Sequence, residues 1–511
     1  MVQRMMEKLK SYWQGNPLPV VLILAAAVRL LAAVFSEGYA MSDDYFVVIG
    51  IAQQWIDGYP NWFNLGHPSG FSIVYPGLHY LLFYLLNVIG VVDPEIKMLI
   101  VRLLHAGYSL ITVYFGYLIT LKLSDLKTAR LTGLLLGLFW IMPFMSVRNL
   151  IEMACIPPMM IGYYLILRAR EQQSIKIWIY AGILFGIAFA FRYQSILIPG
   201  GIGLVLLAQK QWRTSIGFAG GVATGLFFLQ GLVDWIAWGY PFAAFLHYTV
   251  SNIESRYDYI TGEWYRYLLL LLGIFIPPVS FYLLYGAVRM WKKLAVFFWP
   301  MLLFLAFHSV YPNKQERFIL PMLPMLIITG IAGWQDFVRG SEFWQRHGKF
   351  LKGTWVWFWI INTILLTVLT LTYTKRSLVE PMNYFREKKD LTGFIIEYNH
   401  DGMPWFPRFY LGREVPIHRL TTDKSDSAFV AELAGTGRDY PNYVFFFGND
   451  DLDARVARVE NLLGVTLVHD KTVEPSLMDD ILHTLNPRHN RNLTSHIYRI
   501  KGKGCDLEEN P

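Results

Sequence analysis

Apolar stretches of close to membrane-spanning length recur from residue 18 to residue 373, and this pattern leaves few folds open to the chain. In hydrocarbon every backbone N–H and C=O needs a partner within the protein, so repeated apolar stretches of this length imply a bundle of helices. With 54% hydrophobic and 16% charged residues and a mean hydropathy of +0.34, the 511-residue chain reads as an integral membrane protein with a large bundle rather than one anchor. The first stretch, Leu18 to Phe35, opens a series and lacks a small-residue cleavage site, so it reads as a retained signal anchor.

Basic clusters set the expected topology. Lys8/Lys10, Lys122/Lys127/Arg130, Arg168/Arg170/Lys176, Lys210/Arg213, Arg289/Lys292/Lys293 and Arg339/Arg346/Lys350/Lys352 would all be cytoplasmic. The expected spans between them lie near 18–36, 98–121, 129–147, 151–168, 176–191, 194–208, 214–238, 266–288, 294–311, 318–335 and 354–373. That gives about 11 transmembrane helices in an all-α polytopic fold, N-terminus in and C-terminus out. A long outer loop, 37–97, would contain the apolar stretch Leu78 to Val92, lying on or dipping into the outer surface. Trp55, Tyr59, Trp62, Phe63, Tyr75 and Tyr80 in that loop suit the headgroup layer.

Composition changes near residue 375. Residues 1–374 carry a formal charge of +10 and residues 375–511 carry −3, which separates a membrane module from an extracytoplasmic C-terminal domain. The runs RFYLGREV, NYVFFFGN, VTLVHD and SHIYRIKG read as strands, and ARVARVENLL and PSLMDDILHTL as helices, so a small α/β domain is expected. Because the positive excess flanks spans, the net +7 is no sign of nucleic-acid binding. Cys155 and Cys505 imply neither a disulfide framework nor a zinc site. The absence of HExxH and of a Gly-rich phosphate loop argues against zinc proteolysis and nucleotide hydrolysis.

Two features point to chemistry at the outer face. Asp43 and Asp44, in SDDYF, are adjacent acids just beyond a span, where crowding ionisable groups is costly; a solvated loop start is the rival reading. The outer side also carries Lys97, Arg148, Arg192, Arg256, Lys314 and Arg317, against the topological rule. A guanidinium or ammonium in a poorly solvated cleft suits a phosphate, and a buried ion pair bracing two helices is the alternative. GxxxG spacings at Gly133/Gly137, Gly182/Gly186 and Gly221/Gly225 read as close helix packing.

His308-Ser309 followed by PNKQERFILPMLP resembles the His-Ser and Pro-His-Lys-Glu-Glu-Arg-Phe signature of glycosyltransferase family 22, with Asn313 in place of its His and Gln315 in place of its first Glu. SDDYF is similar to that family's His-Pro-Asp-Glu loop, with Met41 and Ser42 departing from the His-Pro. SVRNLIEMA, VDWIAWGYP, YTVSNIE and YITGEWYRYL resemble further family segments in the same order. The family comprises polytopic mannosyltransferases that use a dolichol-phosphate sugar. The resemblance implies a GT-C glycosyltransferase over residues 18 to 335 that takes a sugar, expected to be mannose, from a polyprenyl- or dolichyl-phosphate donor to a lipid-linked or glycan acceptor.

On that resemblance Asp43 is the expected general base, with Asp44 beside it. Lys314, Arg317, Arg148, Arg192 and His308 are expected at the donor phosphate. Glu152, Asn149, Asp234, Asn252, Trp264, Tyr265 and Glu316 are expected at the sugar or acceptor. For Asp234 a helix-end cap or ion pair is the rival reading, and for Trp264 and Tyr265 it is interfacial anchoring. Displacement of a lipid phosphate would invert the anomeric centre and needs no cofactor; a divalent metal held by the paired acids is the less favoured alternative. The rival from another class is a multispan transporter or lipid flippase, which would place ionisable groups near helix centres in repeated halves; only Arg29 sits so within the first span. A bacterial inner membrane with a periplasmic site is the favoured location, and the NLT sequon at Asn492 speaks for an endoplasmic reticulum membrane with a lumenal site.

Overall fold

The computed structural model describes residues 13–501 apart from 43, 259, 399–405, 422–424, 436–439, 486, 488, 489 and 492. Asp43, Asn492 and Cys505 therefore lie outside the described residues. The chain divides into two units: Met1–Phe35, Ile51–Leu85 and Leu99–Leu371 form the first, and Ser36–Gly50, Leu86–Met98 and Thr372–Pro511 the second.

The first unit is helical. Among the described residues, five helices are long and apolar enough to cross a membrane: Leu18–Phe35, Pro94–Leu123, Trp212–Trp238, Glu316–Gly340 and Gly348–Thr370. The pair Arg266–Ile274 and Val279–Arg289, bent by 119°, makes a sixth if taken as one span. Shorter apolar helices include Ile175–Phe191, Tyr193–Ala208 and Ala295–Val310. Of the eleven expected spans, some coincide with these long helices, some with the shorter apolar helices, and others are broken, because an apolar window does not reveal where its helix ends. The expected span 129–147 breaks after Leu138, where the Asn362 amide accepts from Trp140 N and donates to Leu138 O, each at 2.9 Å. The expected span 151–168 starts as a four-residue turn, Ile151–Ala154, and restarts at Ile156 with Pro157 in the first turn, where a missing N–H removes no helical bond. The bent pair turns at Pro277 and Pro278, which cannot continue the helical ladder.

Arg29, the charge within the first span, is buried. It donates to Ser109 Oγ (2.8 Å) and to the carbonyls of Gly137 (2.8 Å), Leu136 (3.1 Å) and Ala25 (3.3 Å), so it ties three helices together. The small-residue spacings are packing sites. A Cβ on Gly182 would lie 2.2 Å from the Phe218 carbonyl oxygen, and one on Gly221 would lie 2.1 Å from that of Ile179. Backbone meets backbone there and has no rotamer with which to yield. Gly182→Val is therefore expected to destabilise the protein by about 3 kcal/mol, seen as a lowered Tm in detergent. Gly200→Ala, which enters open space, should leave Tm unchanged.

The second unit holds a five-stranded sheet: β1 (Phe394–Tyr398), β2 (Ile417–Thr421), β3 (Tyr443–Phe447), β4 (Thr466–Val473) and β5 (Ser495–Lys501), in the order β2-β1-β3-β5-β4. β1 pairs parallel with β2 and β3, and β5 runs antiparallel to β3 and β4. β1 and β3 are buried throughout, as strands covered on both faces are. Phe429, Leu433 and Val459 from two helices pack with Ile395, Val444 and Phe446 on one face. Phe385 covers the other, its ring 4.7 Å from Phe394 and 5.4 Å from Tyr443. The strand expected over RFYLGREV is instead a short helical turn, Arg408–Leu411, ended by Gly412 at φ 68°.

Candidate functional site

In the first unit the sequence-selected charges converge on Glu152. This residue lies in the turn Ile151–Ala154, is fully buried, and accepts from Arg192 Nη1 at 2.6 Å. Arg317 Nε stands 3.6 Å from the same Oε1 and donates to Gln315 Oε1 at 2.9 Å. Each arginine reaches the site because its helix changes course there. The Ile175–Phe191 helix stops at Arg192, whose backbone is extended. Arg317 sits in the tight turn Glu316–Met322, where Pro321 supplies no N–H for an α-helical ladder. Phe318, the last residue of the PNKQERF motif and given no role from the sequence, lies under both guanidinium groups, with ring distances of 4.9 Å from Arg192 and 5.8 Å from Arg317.

Hydrogen-bonding capacity remains at this cluster. Among the described residues, Arg192 Nε and Nη2, Glu152 Oε2 and His308 Nε2 are buried and meet no partner. Each such group carries a desolvation cost of about 1–3 kcal/mol, and a ligand's oxygens can offset it. His308, in the last turn of Ala295–Val310, uses Nδ1 on the Phe304 carbonyl at 2.8 Å, which directs Nε2 away from the helix backbone. Arg148 and Asn149 are buried in the segment just before the turn, with Arg148 over the Phe144 ring at 4.9 Å.

Lys314 plays a part its motif did not show. Its ammonium donates to the carbonyls of His308 (2.7 Å), Ser309 (2.7 Å) and Tyr311, capping the C-terminal end of Ala295–Val310. Burial, and then the nearby Arg266, hold that ammonium below the usual lysine range.

The remaining expected residues divide. Asp234 is fully buried and accepts from Ala244 N at 3.0 Å, capping the helix Ala243–Glu254. Asn252 donates to the Tyr248 carbonyl at 2.9 Å, and its own carbonyl accepts from Tyr311 Oη at 2.5 Å. Glu316 is exposed and paired with Arg266 at 2.5 Å. Trp264 and Tyr265 are exposed, ring against edge at 5.8 Å. Gln194, paired with Tyr248 Oη, and the buried Gln230 gave no signal in the sequence.

In the second unit, Asp44 opens a π-helix, Asp44–Gly50, a form frequent at functional sites. The segment is anchored within its unit. Thr374 N donates to Glu37 O at 3.0 Å, and Tyr45 is buried between Tyr39 (4.8 Å) and Tyr410 (5.8 Å). Gly38 is required, with φ 75° and its missing Cβ directed onto the Thr374 carbonyl. We expect Gly38→Ala to lower kcat about tenfold or more with donor affinity retained, measured by initial rates and donor titration. Among the described residues, no three His, Cys, Asp or Glu side chains gather as a metal site, and Asp43 is outside that set.

The sequence model of the Alg9-like mannosyltransferase family matches residues 20–394. Mannosyltransferase APTG1 of Arabidopsis thaliana is 22% identical over 504 residues, covering 86% of each chain. The Schizosaccharomyces pombe protein named "Probable Dol-P-Man:Man(7)GlcNAc(2)-PP-Dol alpha-1,6-mannosyltransferase" is 24% identical over 194 residues, 37% of this chain and 34% of that one. Among solved structures, ArnT from Cupriavidus metallidurans bound to undecaprenyl phosphate superposes with a TM-score of 0.60 at 12% identity, covering 96% of this chain and 99% of that one. That likeness is one of fold, the GT-C fold of membrane glycosyltransferases. The chain belongs to the Alg9-like mannosyltransferase family and is a membrane glycosyltransferase.

Proposed function

We propose that the protein moves mannose from a polyprenyl- or dolichyl-phosphate donor to a hydroxyl of a lipid-linked or glycan acceptor at the outer membrane face, inverting the anomeric centre without a metal. The observation that carries this reading is the buried Arg192, which keeps two N–H groups without a partner among the described residues while sharing a Glu152 oxygen with Arg317. Such a pair suits a phosphate leaving group, which needs its charge stabilised rather than a proton. The attacking hydroxyl is a poor nucleophile, and Asp43 is assigned as the base that removes its proton, with Asp44 in support. Arg148 and His308 are assigned beside the arginine pair, and Glu152 and Asn149 to sugar hydroxyls. Asn252, Trp264 and Tyr265 are assigned to the acceptor.

Lys314 contributes long-range charge in this reading, Asp234 acts as a cap and Glu316 as a surface partner. The carrier assignment is supported by the donor printed in the S. pombe relative's name and by the undecaprenyl phosphate bound to ArnT. We place the site on the periplasmic face of a bacterial inner membrane because the chain departs from the eukaryotic motifs at Met41, Ser42, Asn313 and Gln315. Membership of a transferase family sets aside the transporter alternative. The test is product analysis: α-linked mannose formed from a β-linked carrier, with a rate unchanged by EDTA, is expected. A β-linked product would overturn inversion, and loss of activity in EDTA would overturn metal independence.

A further inference from the structure

A second basic site lies at the opposite ends of the helices that carry the Glu152–Arg192 pair. The end of Ile156–Gln172, the start of Ile175–Phe191, the end of Leu197–Ala208 and the start of Trp212–Leu226 surround a cavity of about 490 Å³. Arg170, Gln173, Trp178, Gln209, Arg213 and Thr214 are among its lining residues, and no Asp or Glu lines it. Neither arginine joins an ion pair among the described residues, and the acid next in sequence, Glu171, is held by Lys122 at 2.8 Å. Two like charges around one cavity repel, and an anion between them relieves that repulsion. Along a 17-residue helix, at ~1.5 Å per residue, the cavity is about 25 Å from Arg192 and is a separate site.

The surroundings indicate the source of the anion. Leu204, Trp212 and Ile216, from the adjoining helices, are 61%, 60% and 72% exposed, which gives acyl chains an apolar surface beside the cavity. Trp178, buried with its ring 6.1 Å from that of Phe218, forms an aromatic wall of the cavity. Lys176 and Lys210 lie at the same helix ends, the ends that the distribution of basic residues assigns to the cytoplasmic leaflet. We propose that this cavity holds the phosphate headgroup of an anionic phospholipid, with Arg170 and Arg213 on the phosphate and the acyl chains along Leu204, Trp212 and Ile216.

The test uses full-length protein in mild detergent, offered equal phosphatidylglycerol and phosphatidylcholine, with retained lipid counted by native mass spectrometry. Wild type is expected to retain phosphatidylglycerol about tenfold over phosphatidylcholine. The double variant Arg170→Gln/Arg213→Gln should lose that preference, and Arg170→Lys/Arg213→Lys should keep most of it. Thermal unfolding in phosphatidylcholine alone establishes that each variant is folded; if the glutamine pair fails to fold, single Arg213→Gln is used, with a reduced preference expected. An unchanged preference in the folded glutamine variants overturns the proposal. Arginine-dependent stabilisation by millimolar inorganic phosphate, without any lipid preference, also overturns it and assigns the cavity to a free anion.

Discussion

Asp43→Asn is expected to lower kcat by about 10³-fold or more while leaving donor affinity within about twofold. Asparagine keeps the size and polarity of the side chain but cannot take a proton from the attacking hydroxyl. Asp44→Asn should have a smaller effect, because the adjacent acid supports the base rather than serving as one. The segment that follows is anchored by the Tyr45 stack and the Thr374 bond to Glu37, so the substitution should not release it. The measurement pairs transfer rates with donor titration at fixed acceptor. Collapse of donor binding in Asp43→Asn would instead place this acid at the donor or in the fold.

The second large effect concerns the buried pair. Arg192→Gln should reduce kcat/KM about 10²–10³-fold, as loss of a preorganised charge at a developing anion does. It should also destabilise the protein by about 3 kcal/mol, because Glu152 loses its 2.6 Å partner and is left as a buried carboxylate with Arg317 3.6 Å from the same oxygen. Adding Glu152→Gln removes that uncompensated charge and should restore Tm without restoring transfer. Recovery of both in the double variant would reduce Arg192 and Glu152 to a brace between helices.

Much of this was readable from residues alone. The apolar stretches announced a membrane bundle, and the strand-like runs beyond residue 375 a small sheet; Arg192, Arg317 and Glu152 were each singled out, but not the pairing that joins them. What escaped the sequence depends on partners far along the chain. The break after Leu138 is held by Asn362, more than two hundred residues away, and no local pattern encodes that bond. Lys314 looked like a phosphate ligand because its motif shows a charge but not the three carbonyls that take its hydrogens. Asp234 likewise shows its carboxylate in sequence, whereas its capping of Ala244 appears only when the chain folds back. β1 was missed because FIIEY, buried at every position, lacks the alternation that marks a half-exposed strand. The loop 37–97, read as one outer excursion, contributes its two ends, Ser36–Gly50 and Leu86–Met98, to the unit of the C-terminal sheet.

The most direct test of the central claim is a transfer assay on purified protein in nanodiscs, supplied with a lipid extract as acceptor and with mannose radiolabelled either on a polyprenyl-phosphate carrier or on a nucleotide. Label is expected to reach acceptor from the lipid carrier and not from the nucleotide, and only when Asp43 is intact. Transfer from the nucleotide sugar, or none from any polyprenyl-phosphate sugar, would contradict it.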